Sequence, residues 1–328
     1  MNSSPLLGAG SLAVVVFLAT CAAFGRSSSP PHSPQDHPAD RAIQVKAEMV
    51  DLPVSVTDRK GHFVAGLAKN DFRVYEDSRL QQISLFDPLD VPVTVGMLVD
   101  HSGSMAPRLA QVVAGAAVFV QSSNPQDEIF VDNFNEAVSK GLPPGIEFSA
   151  DSHLLASAVA GQQATGETAL YDAIVDGLSS LRDGHDRRQA LVIITDGGDN
   201  ASRHSLADVM ALAGRSNAAL YFIGISDPAD EDRNPRVLKK IAKITGGRAY
   251  FPESIDQVTS ICRQIARDIR EQYTIGYAPA DNGSNGAFRK IRVTVSAPGR
   301  GKLTVHTRAG YFADALSVPQ ANSASNAP

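Results

Sequence analysis

The stretch VTVGMLVDHSGSM, residues 93–105, decides the fold of this chain. Residues 93–100 are almost entirely apolar and end in a carboxylate, which is the pattern of a strand buried in a parallel sheet. The residues that follow are rich in Ser and Gly, which favour a turn into a helix. In an open parallel sheet, ligands bind at the carboxyl ends of the strands. We therefore predict a binding loop at the end of this strand.

Outward from this stretch, short apolar runs alternate with amphipathic segments over residues 91–272. This alternation is typical of stacked βαβ units. The predicted fold is therefore α/β, with a doubly wound, mostly parallel, Rossmann-like sheet in a central domain over residues 91–272. The predicted strands are 93–100, 128–134, 190–196, 219–225 and 248–251, and the predicted helices are 108–121, 168–182, 205–216, 236–245 and 255–272.

The last predicted helix carries an apolar stripe of Ile and Val residues, spaced three or four apart, at positions 255, 258, 261, 265 and 269. Such a stripe packs against a core. Cys262 lies beside the stripe, and no histidine stands near it in the sequence. We therefore predict a buried structural thiol and not a catalytic one.

The segments on either side of the central domain alternate apolar and polar residues, over residues 43–90 and again over 273–313. A period of two indicates half-buried strands. Each segment alone is short for an independent sheet. We therefore predict that the two segments pack together as an accessory β module beside the central domain.

The amino terminus has the outline of an export signal, because residues 6–25 form an uncharged apolar run, although no Lys or Arg precedes it. Residues 1–25 are predicted to be a signal peptide or a lipoprotein signal with Cys21 as the lipidated residue, and a retained membrane anchor is the third alternative. Residues 26–42 are predicted to be a disordered linker and residues 314–328 a disordered tail. The protein is thus expected to be secreted, periplasmic or attached to the cell envelope, with membrane attachment through the N-terminus only.

Composition excludes several classes of function. The chain has 30 Lys and Arg against 35 Asp and Glu, a net charge of −5, so nucleic acid is not a predicted partner. Two cysteines are too few for a disulfide scaffold or a cysteine-rich zinc site. The sequence contains no HExxH, no GxSxG and no Gly-rich loop ending in Lys-Ser or Lys-Thr. We therefore predict that the protein is not an enzyme.

Oxygen-bearing residues stand at several predicted strand and loop ends. Each has a structural alternative, as a helix cap or a carboxylate that caps a turn. Taken together, they supply the hard oxygen donors that Mg²⁺, Mn²⁺ or Ca²⁺ prefer. They therefore predict one divalent-cation site, formed by Asp100, Ser102, Ser104, Thr168 and Asp196.

On these residues the chain resembles the von Willebrand factor type A (VWA) domain, whose metal-ion-dependent adhesion site has the form DxSxS, then a Thr, then an Asp. Segments such as TALYDAI, 168–174, and EQYTIGYAP, 271–279, are similar to the VWFA-related proteins of Acidobacteria. The resemblance implies that the two serines and often the threonine bind the cation directly. It implies that the aspartates commonly act through waters.

The resemblance also implies a function, in which Mg²⁺ bridges the chain to an Asp or Glu of a protein partner. Two aspartates leave such a centre near neutral, with a coordination position open to that carboxylate. The sequence leaves two other functions open. One is a cation-dependent hydrolase that uses the same pocket, and the other is a structural envelope protein whose cation stabilises the fold.

Several residues near the predicted site have secondary roles in this interpretation. Glu167 stands where relatives usually have Gly, and we predict that it faces solvent in the first turn of a helix, where negative charge is favoured. Asp199 and Asn200 are predicted at the rim of the site. Asp172 is predicted to be structural, and His101 to be a bystander.

Overall fold

A computed structural model describes residues 49–87, 91–225, 234–279 and 286–313 of the chain. The predicted signal, linker and tail, 1–25, 26–42 and 314–328, lie outside the described residues. In chain order the strands are β1 Val50–Thr57, β2 Phe72–Glu76, β3 Arg79–Gln81, β4 Ile83–Asp87, β5 Val93–Asp100, β6 Glu128–Phe134, β7 Val138–Lys140, β8 Arg188–Thr195, β9 Ala219–Gly224, β10 Ala249–Tyr250, β11 Tyr273–Tyr277, β12 Phe288–Val295, β13 Thr304–His306 and β14 Gly310–Phe312. The α-helices are α1 Leu109–Ser122, α2 Ser152–Ala160, α3 Leu170–Ser180, α4 Leu206–Arg215, α5 Pro235–Thr245 and α6 Val258–Arg270.

The central sheet has six strands in the order β10-β9-β8-β5-β6-β7. Neighbouring strands are parallel except β6 and β7, which confirms the α/β prediction with a mostly parallel sheet. Every residue of β5 is buried, as expected for a strand covered on both faces. The chain proceeds from β5 to β6 on one side and reaches β8 on the other. The carboxyl ends of β5 and β8 therefore form a topological switch point, where open α/β sheets bind ligands.

Two elements of the central domain are absent from the sequence prediction, β7 and α2. The strand β7 is three residues long and runs antiparallel to β6 at the edge of the sheet. The helix α2 begins after Asp151, whose carboxylate accepts the N–H groups of His153 and Leu154 at 2.8 and 3.2 Å. This is a regular helix N-cap.

The apolar stripe of α6 packs on α1, as its spacing predicts. Gly115 of α1 allows the close approach, because a Cβ at this position would lie 2.9 Å from Val258 and 3.1 Å from the Cys262 sulfur. Cys262 is fully buried in this contact, which agrees with the prediction of a structural thiol. Ile261, which was assigned to the stripe, is only partly buried, so Cys262 occupies the more central position.

The flanking segments form two antiparallel sheets, each of which combines strands from both ends of the described chain. One sheet has the order β13-β1-β11-β4 and the other β14-β12-β2-β3. Their facing residues form a second apolar core, in which the ring centroids of Phe72 and Tyr273 lie 5.2 Å apart. The predicted pairing of the two flanking segments is therefore confirmed.

The accessory β module is joined to the central domain by buried polar contacts. Arg188 of β8 donates to the Thr274 hydroxyl of β11 at 2.5 Å, and Arg308 donates to the Gly214 carbonyl of α4 at 2.8 Å. Both bonds cross between the module and the central domain, so the two support one another. Gln272, which directly precedes β11, accepts a further bond from Arg188 at 2.6 Å and donates to the Tyr221 hydroxyl at 2.7 Å.

Candidate metal centre

Asp100 ends β5 and is fully buried. Its carboxylate accepts the Ser102 N–H at 2.8 Å on one oxygen and the Thr195 hydroxyl at 2.7 Å on the other. Burial raises the pKa of Asp100 to about 6, and the charge of Asp196 adds to the increase, while the bonds from Ser102 and Thr195 oppose it. A cation at this position would stabilise the charged carboxylate.

The two serines of the loop connect Asp100 to the end of the neighbouring strand. Ser102 is buried, and its hydroxyl oxygen lies 3.2 Å from that of Ser104. The Ser104 hydroxyl donates to the carboxylate of Asp196, which follows β8 directly. Asp196 is also buried, whereas Ser104 is exposed. Four of the five predicted ligand residues are thus linked by short polar contacts at the switch point.

Thr168 is brought to the same edge of the sheet by its backbone. Its N–H donates to the Asn200 side chain at 2.7 Å, and its carbonyl accepts the Asn200 N–H at 3.0 Å. The Gly103 N–H donates to the Gly166 carbonyl at 3.1 Å, which ties the Thr168 loop to the serine loop. Within the described part of the chain, no hydrogen bond joins the Thr168 side chain to the other four residues.

The residues assigned to the rim support the loops. Asp199 accepts the Tyr171 N–H at 3.1 Å and the Ser202 hydroxyl at 2.5 Å. Asp172 accepts the backbone N–H groups of Arg203 and His204, so its structural role agrees with the prediction. These carboxylates are engaged in holding the ends of the loops.

His101 and Glu167, two further residues near the site, differ in their exposure to solvent. His101 is fully buried, and its Nδ1 lies 2.9 Å from the Gln162 carbonyl, which can only accept, so Nδ1 carries the proton. Burial lowers the pKa of His101. Glu167 is exposed, as predicted, and its N–H donates to the Glu136 carboxylate at 3.3 Å. It does not lie in the first turn of a helix, however, because α3 begins only at Leu170.

Sequence reasoning missed Thr195, the residue before Asp196. Its hydroxyl donates to Asp100 and accepts the Gly197 N–H at 3.0 Å, so it fixes both sides of the switch point. Asn200 was placed only at the rim, yet it holds Thr168 through both its side chain and its backbone. The sequence signal for Thr195 was its position at the end of a strand, and the signal for Asn200 was its place in the loop that follows this strand.

The donor set of this centre consists of two carboxylates and three hydroxyls. Among the residues that the structure describes, no group of three or more His, Cys, Asp or Glu side chains could hold a metal ion. The chemistry of the centre therefore does not suit a cation that needs imidazole or thiolate ligands. It fits a hard cation that prefers oxygen, and the mutual repulsion of Asp100 and Asp196 is relieved by positive charge between them.

Residues 95–198 match the family model of the von Willebrand factor type A domain. Over these residues the chain is similar to that family. The matched span includes all five predicted ligand residues, most of β5 and the whole of β8. No curated protein matches the chain.

Solved structures similar to this chain include three bacterial proteins. A von Willebrand factor type A protein from Catenulispora acidiphila is 15% identical over 82% of this chain and 75% of its own, with a TM-score of 0.48. The conserved hypothetical protein BatB from Bacteroides thetaiotaomicron is 17% identical over 54% of this chain and 98% of its own, with a TM-score of 0.45. The vWF domain of the type V pili tip protein Mfa5 from Porphyromonas gingivalis is 12% identical over 55% of this chain and 95% of its own, with a TM-score of 0.46.

Proposed function

We propose that the chain is an exported, non-enzymatic binding protein of adhesion or assembly. In this proposal Asp100, Ser102, Ser104, Thr168 and Asp196 hold a divalent cation, Mg²⁺ above Mn²⁺ or Ca²⁺. The bound cation supplies a coordination position for an Asp or Glu side chain of a protein partner. The family match over residues 95–198 supports the coarser part of this proposal, because VWA domains generally mediate interactions between proteins and are not enzymes.

The observation that carries the proposal is the chain of contacts from Asp100 through Thr195, and from Ser102 through Ser104 to Asp196. These contacts gather hydroxyl and carboxylate oxygens from two strand ends at the switch point. Ser104 is exposed while Asp100 and Ser102 are buried, so the cluster faces solvent on one side only. A partner's carboxylate could approach from that side.

The charge of the cluster favours an acidic partner. Two aspartates offset a divalent cation and leave the centre near neutral, so a third carboxylate is still attracted to an open coordination position. Glu167 and Glu136 are both exposed beside the Thr168 loop. They would repel acidic groups that approach the loop instead of the cation. They would therefore contribute to the selection of the partner.

Cation binding is tested by calorimetric titration of Mg²⁺ and Mn²⁺ into the wild-type chain and into Asp196→Asn. The matched control is Asp199→Asn, which makes the same change three residues away on a carboxylate that caps the loop. We expect Asp196→Asn to weaken Mg²⁺ binding by about 100-fold and Asp199→Asn by about tenfold or less. Equal affinity in wild type and Asp196→Asn would contradict the site.

Partner binding is tested by capture from envelope extract on the immobilised chain with Mg²⁺ or with chelator. We expect retained proteins that chelator releases and that Asp196→Asn fails to retain. Metal binding without any chelator-sensitive partner would favour the structural envelope alternative. Turnover of phosphoester or peptide substrates that disappears in Asp196→Asn would favour the hydrolase alternative.

Export, and the narrower similarity to the VWFA-related proteins of Acidobacteria, belong to the proposal as well. The apolar run over residues 6–25 supports export. Mass measurement of the mature amino terminus distinguishes cleavage from lipidation of Cys21, because lipidation makes Cys21 the first residue. A chain that keeps residues 1–25 and stays in the membrane would indicate a retained anchor.

A further inference from the structure

A cavity of about 270 Å³ opens at the edge of the central sheet, and none of the residues that line it is a proposed metal ligand. It lies between β6, the end of α3 and the loop of residues 141–149 that follows β7. The loop is anchored at both ends. The Gly141 N–H donates to the Val131 carbonyl at 2.7 Å, and Ser149 exchanges backbone hydrogen bonds with Ile129 at 2.8 and 3.2 Å.

The wall of the cavity is largely apolar. The rings of Phe130 and Phe148 meet edge to face with centroids 6.0 Å apart, and Leu142 is buried beside them. Ile146 lies on the loop and is 41% exposed, and among the residues that the structure describes only Leu80 is a more exposed large apolar side chain. A cavity with this lining accommodates an apolar body of about the size of an aromatic ring or larger.

Asp132 of β6 lines the same cavity, and its side chain is fully buried. Its Oδ2 accepts the Lys140 ammonium at 3.0 Å, but its Oδ1 is buried without a hydrogen-bond partner among the described residues. A buried carboxylate oxygen without a donor is costly, so a ligand donor that reaches Oδ1 from the cavity would be bound favourably. Burial raises the pKa of Asp132, although Lys140 opposes the increase.

The charges around the cavity determine which charge the ligand that carries this donor should have. The Lys140 ammonium also donates to Asp176 at 3.0 Å and to the Ser180 hydroxyl at 2.8 Å, so it is already saturated with acceptors. Two further carboxylates, Glu147 and Asp183, line the cavity and are exposed. Acidic groups therefore outnumber the one lysine, which disfavours an anionic ligand and favours a cationic one.

We propose that this cavity binds an organic cation, an ammonium or guanidinium group on an apolar body, whose N–H donates to Oδ1 of Asp132. The apolar body lies against Phe130 and Phe148, and the charged group reaches the buried carboxylate. A free amine and a basic side chain of a partner protein offer the same chemistry. The site is separate from the proposed adhesion site, so each can fail without the other.

The test is backbone amide NMR of the full chain titrated with 2-phenylethylamine, with its neutral analogue 2-phenylethanol, and with blocked arginine amide. We expect 2-phenylethylamine to bind with a dissociation constant on the order of 1 mM and to shift the amides of Val131, Leu142 and Phe148. The alcohol should bind about tenfold more weakly or worse. Tighter binding of the arginine amide than of 2-phenylethylamine would favour a basic side chain of a partner protein as the source of the ligand. Tighter binding of 2-phenylethylamine would favour a free amine.

The variant Asp132→Asn keeps the shape of the side chain and removes its charge. It should weaken the binding of 2-phenylethylamine by about tenfold. The control Glu253→Gln makes the same change of charge outside the cavity lining, and its affinity for 2-phenylethylamine should stay within about twofold of the wild type. If Asp132→Asn fails to fold, the comparison of amine and alcohol on the wild-type chain still decides the matter. Equal affinity for the two probes, or shifts confined to residues outside the cavity, would overturn the proposal.

Discussion

The Thr195 hydroxyl donates a 2.7 Å hydrogen bond to the Asp100 carboxylate and so joins the carboxyl ends of the two central strands beneath the candidate metal centre. The same oxygen accepts the Gly197 N–H at 3.0 Å, which sets the turn after Asp196. Both aspartates are therefore positioned through one buried hydroxyl. This arrangement predicts that Thr195 influences cation binding although it is not one of the proposed ligands.

The variant Thr195→Val keeps the volume of the side chain and removes both hydrogen bonds. We expect Mg²⁺ affinity to fall by about tenfold, because residues that orient metal ligands typically contribute that much. The free energy of unfolding should fall by about 1–3 kcal/mol, since Asp100 loses a donor in a buried position. Calorimetric titration and urea denaturation measure the two effects.

The control for this variant is Thr94→Val, at the opposite end of β5. Thr94 is also fully buried, and its hydroxyl donates to Glu128 at 3.1 Å. We expect a loss of stability of about 1 kcal/mol with no change in Mg²⁺ affinity. A decrease in Mg²⁺ affinity as large as that of Thr195→Val would mean that Thr195→Val acts by destabilising the sheet in general and not by disturbing the site.

The Thr168 loop depends on Gly166, which has a φ of 79°. A Cβ at this residue would also lie 2.7 Å from the Glu136 carboxylate. Gly166→Ala should therefore shift the loop and weaken Mg²⁺ binding by about tenfold, in addition to a cost of about 1–2 kcal/mol for the left-handed backbone. Titration of Mg²⁺ into the variant measures the shift in affinity.

Gly145→Ala separates backbone strain from the contact with Glu136. Gly145 has a φ of 85°, and a Cβ there would meet nothing within 4 Å. This variant should lose a similar free energy of unfolding, about 1–2 kcal/mol, and keep the Mg²⁺ affinity of the wild type. If both variants bind Mg²⁺ as the wild type does, Gly166 does not position Thr168 for the cation.

The central domain was predictable from the sequence because its main strands are long and largely apolar. The predictions for β5 and β6 have the same bounds as the structure, and those for β8 and β9 differ by one or two residues at an end. The strand β7 was not predicted, since its three residues are too few to show a period. The helix α2 carried a signal, the Asp151 cap before an apolar run, that periodicity alone does not use.

The residues of the candidate site were predictable from the sequence, but the hydrogen bonds that connect them were not. The spacing of Asp100, Ser102 and Ser104 placed them in one loop, and strand ends placed Asp196 at the same edge. The bond between Thr195 and Asp100 depends on the lateral pairing of β5 with β8, in which Val99 lies opposite Ile194. Which strands become neighbours is a property of the topology, and the order of the strands along the chain does not determine it.

Cys262 is expected to be inert in the folded protein. Burial raises the pKa of its thiol from 9.0 to about 12, so at pH 8 roughly one molecule in 10,000 carries the reactive thiolate. In a Cys21→Ser variant, where Cys262 is the remaining cysteine, Ellman's reagent should react at a measurable rate only after denaturant is added. Rapid reaction of the native chain would show that α6 opens readily from α1.

The same shift in pKa predicts a dependence of stability on pH. The unfolded chain releases the thiol proton near pH 9.0, while the folded chain keeps it to about pH 12. The contribution of the buried thiol is therefore complete below pH 9.0 and is lost as pH rises through this window. Urea denaturation should show a steeper loss of stability above pH 9.0 for the wild type than for Cys262→Ala. Parallel curves would contradict the burial of the thiol.

Arg308 is expected to couple the accessory β module to the central domain. Its side chain is 2% exposed, and its guanidinium donates to the Gly214 carbonyl at 2.8 Å, to Asn217 at 3.1 Å and to the Gly310 carbonyl at 3.0 Å. Arg308→Met keeps the apolar length and leaves buried acceptors without donors. We expect a loss of about 2–4 kcal/mol in the free energy of unfolding.

The matched control for Arg308 is Arg187→Met. Arg187 also joins the module to the central domain, through a 2.8 Å ion pair with Asp51, but its side chain is 50% exposed. Solvent screens such a pair, so we expect a loss of about 0–1 kcal/mol. The wild type should unfold in urea in a single transition, because the two cores share buried hydrogen bonds. Two separate transitions in the wild type, or equal losses in the two variants, would show that the module folds independently of the domain that carries the candidate metal centre.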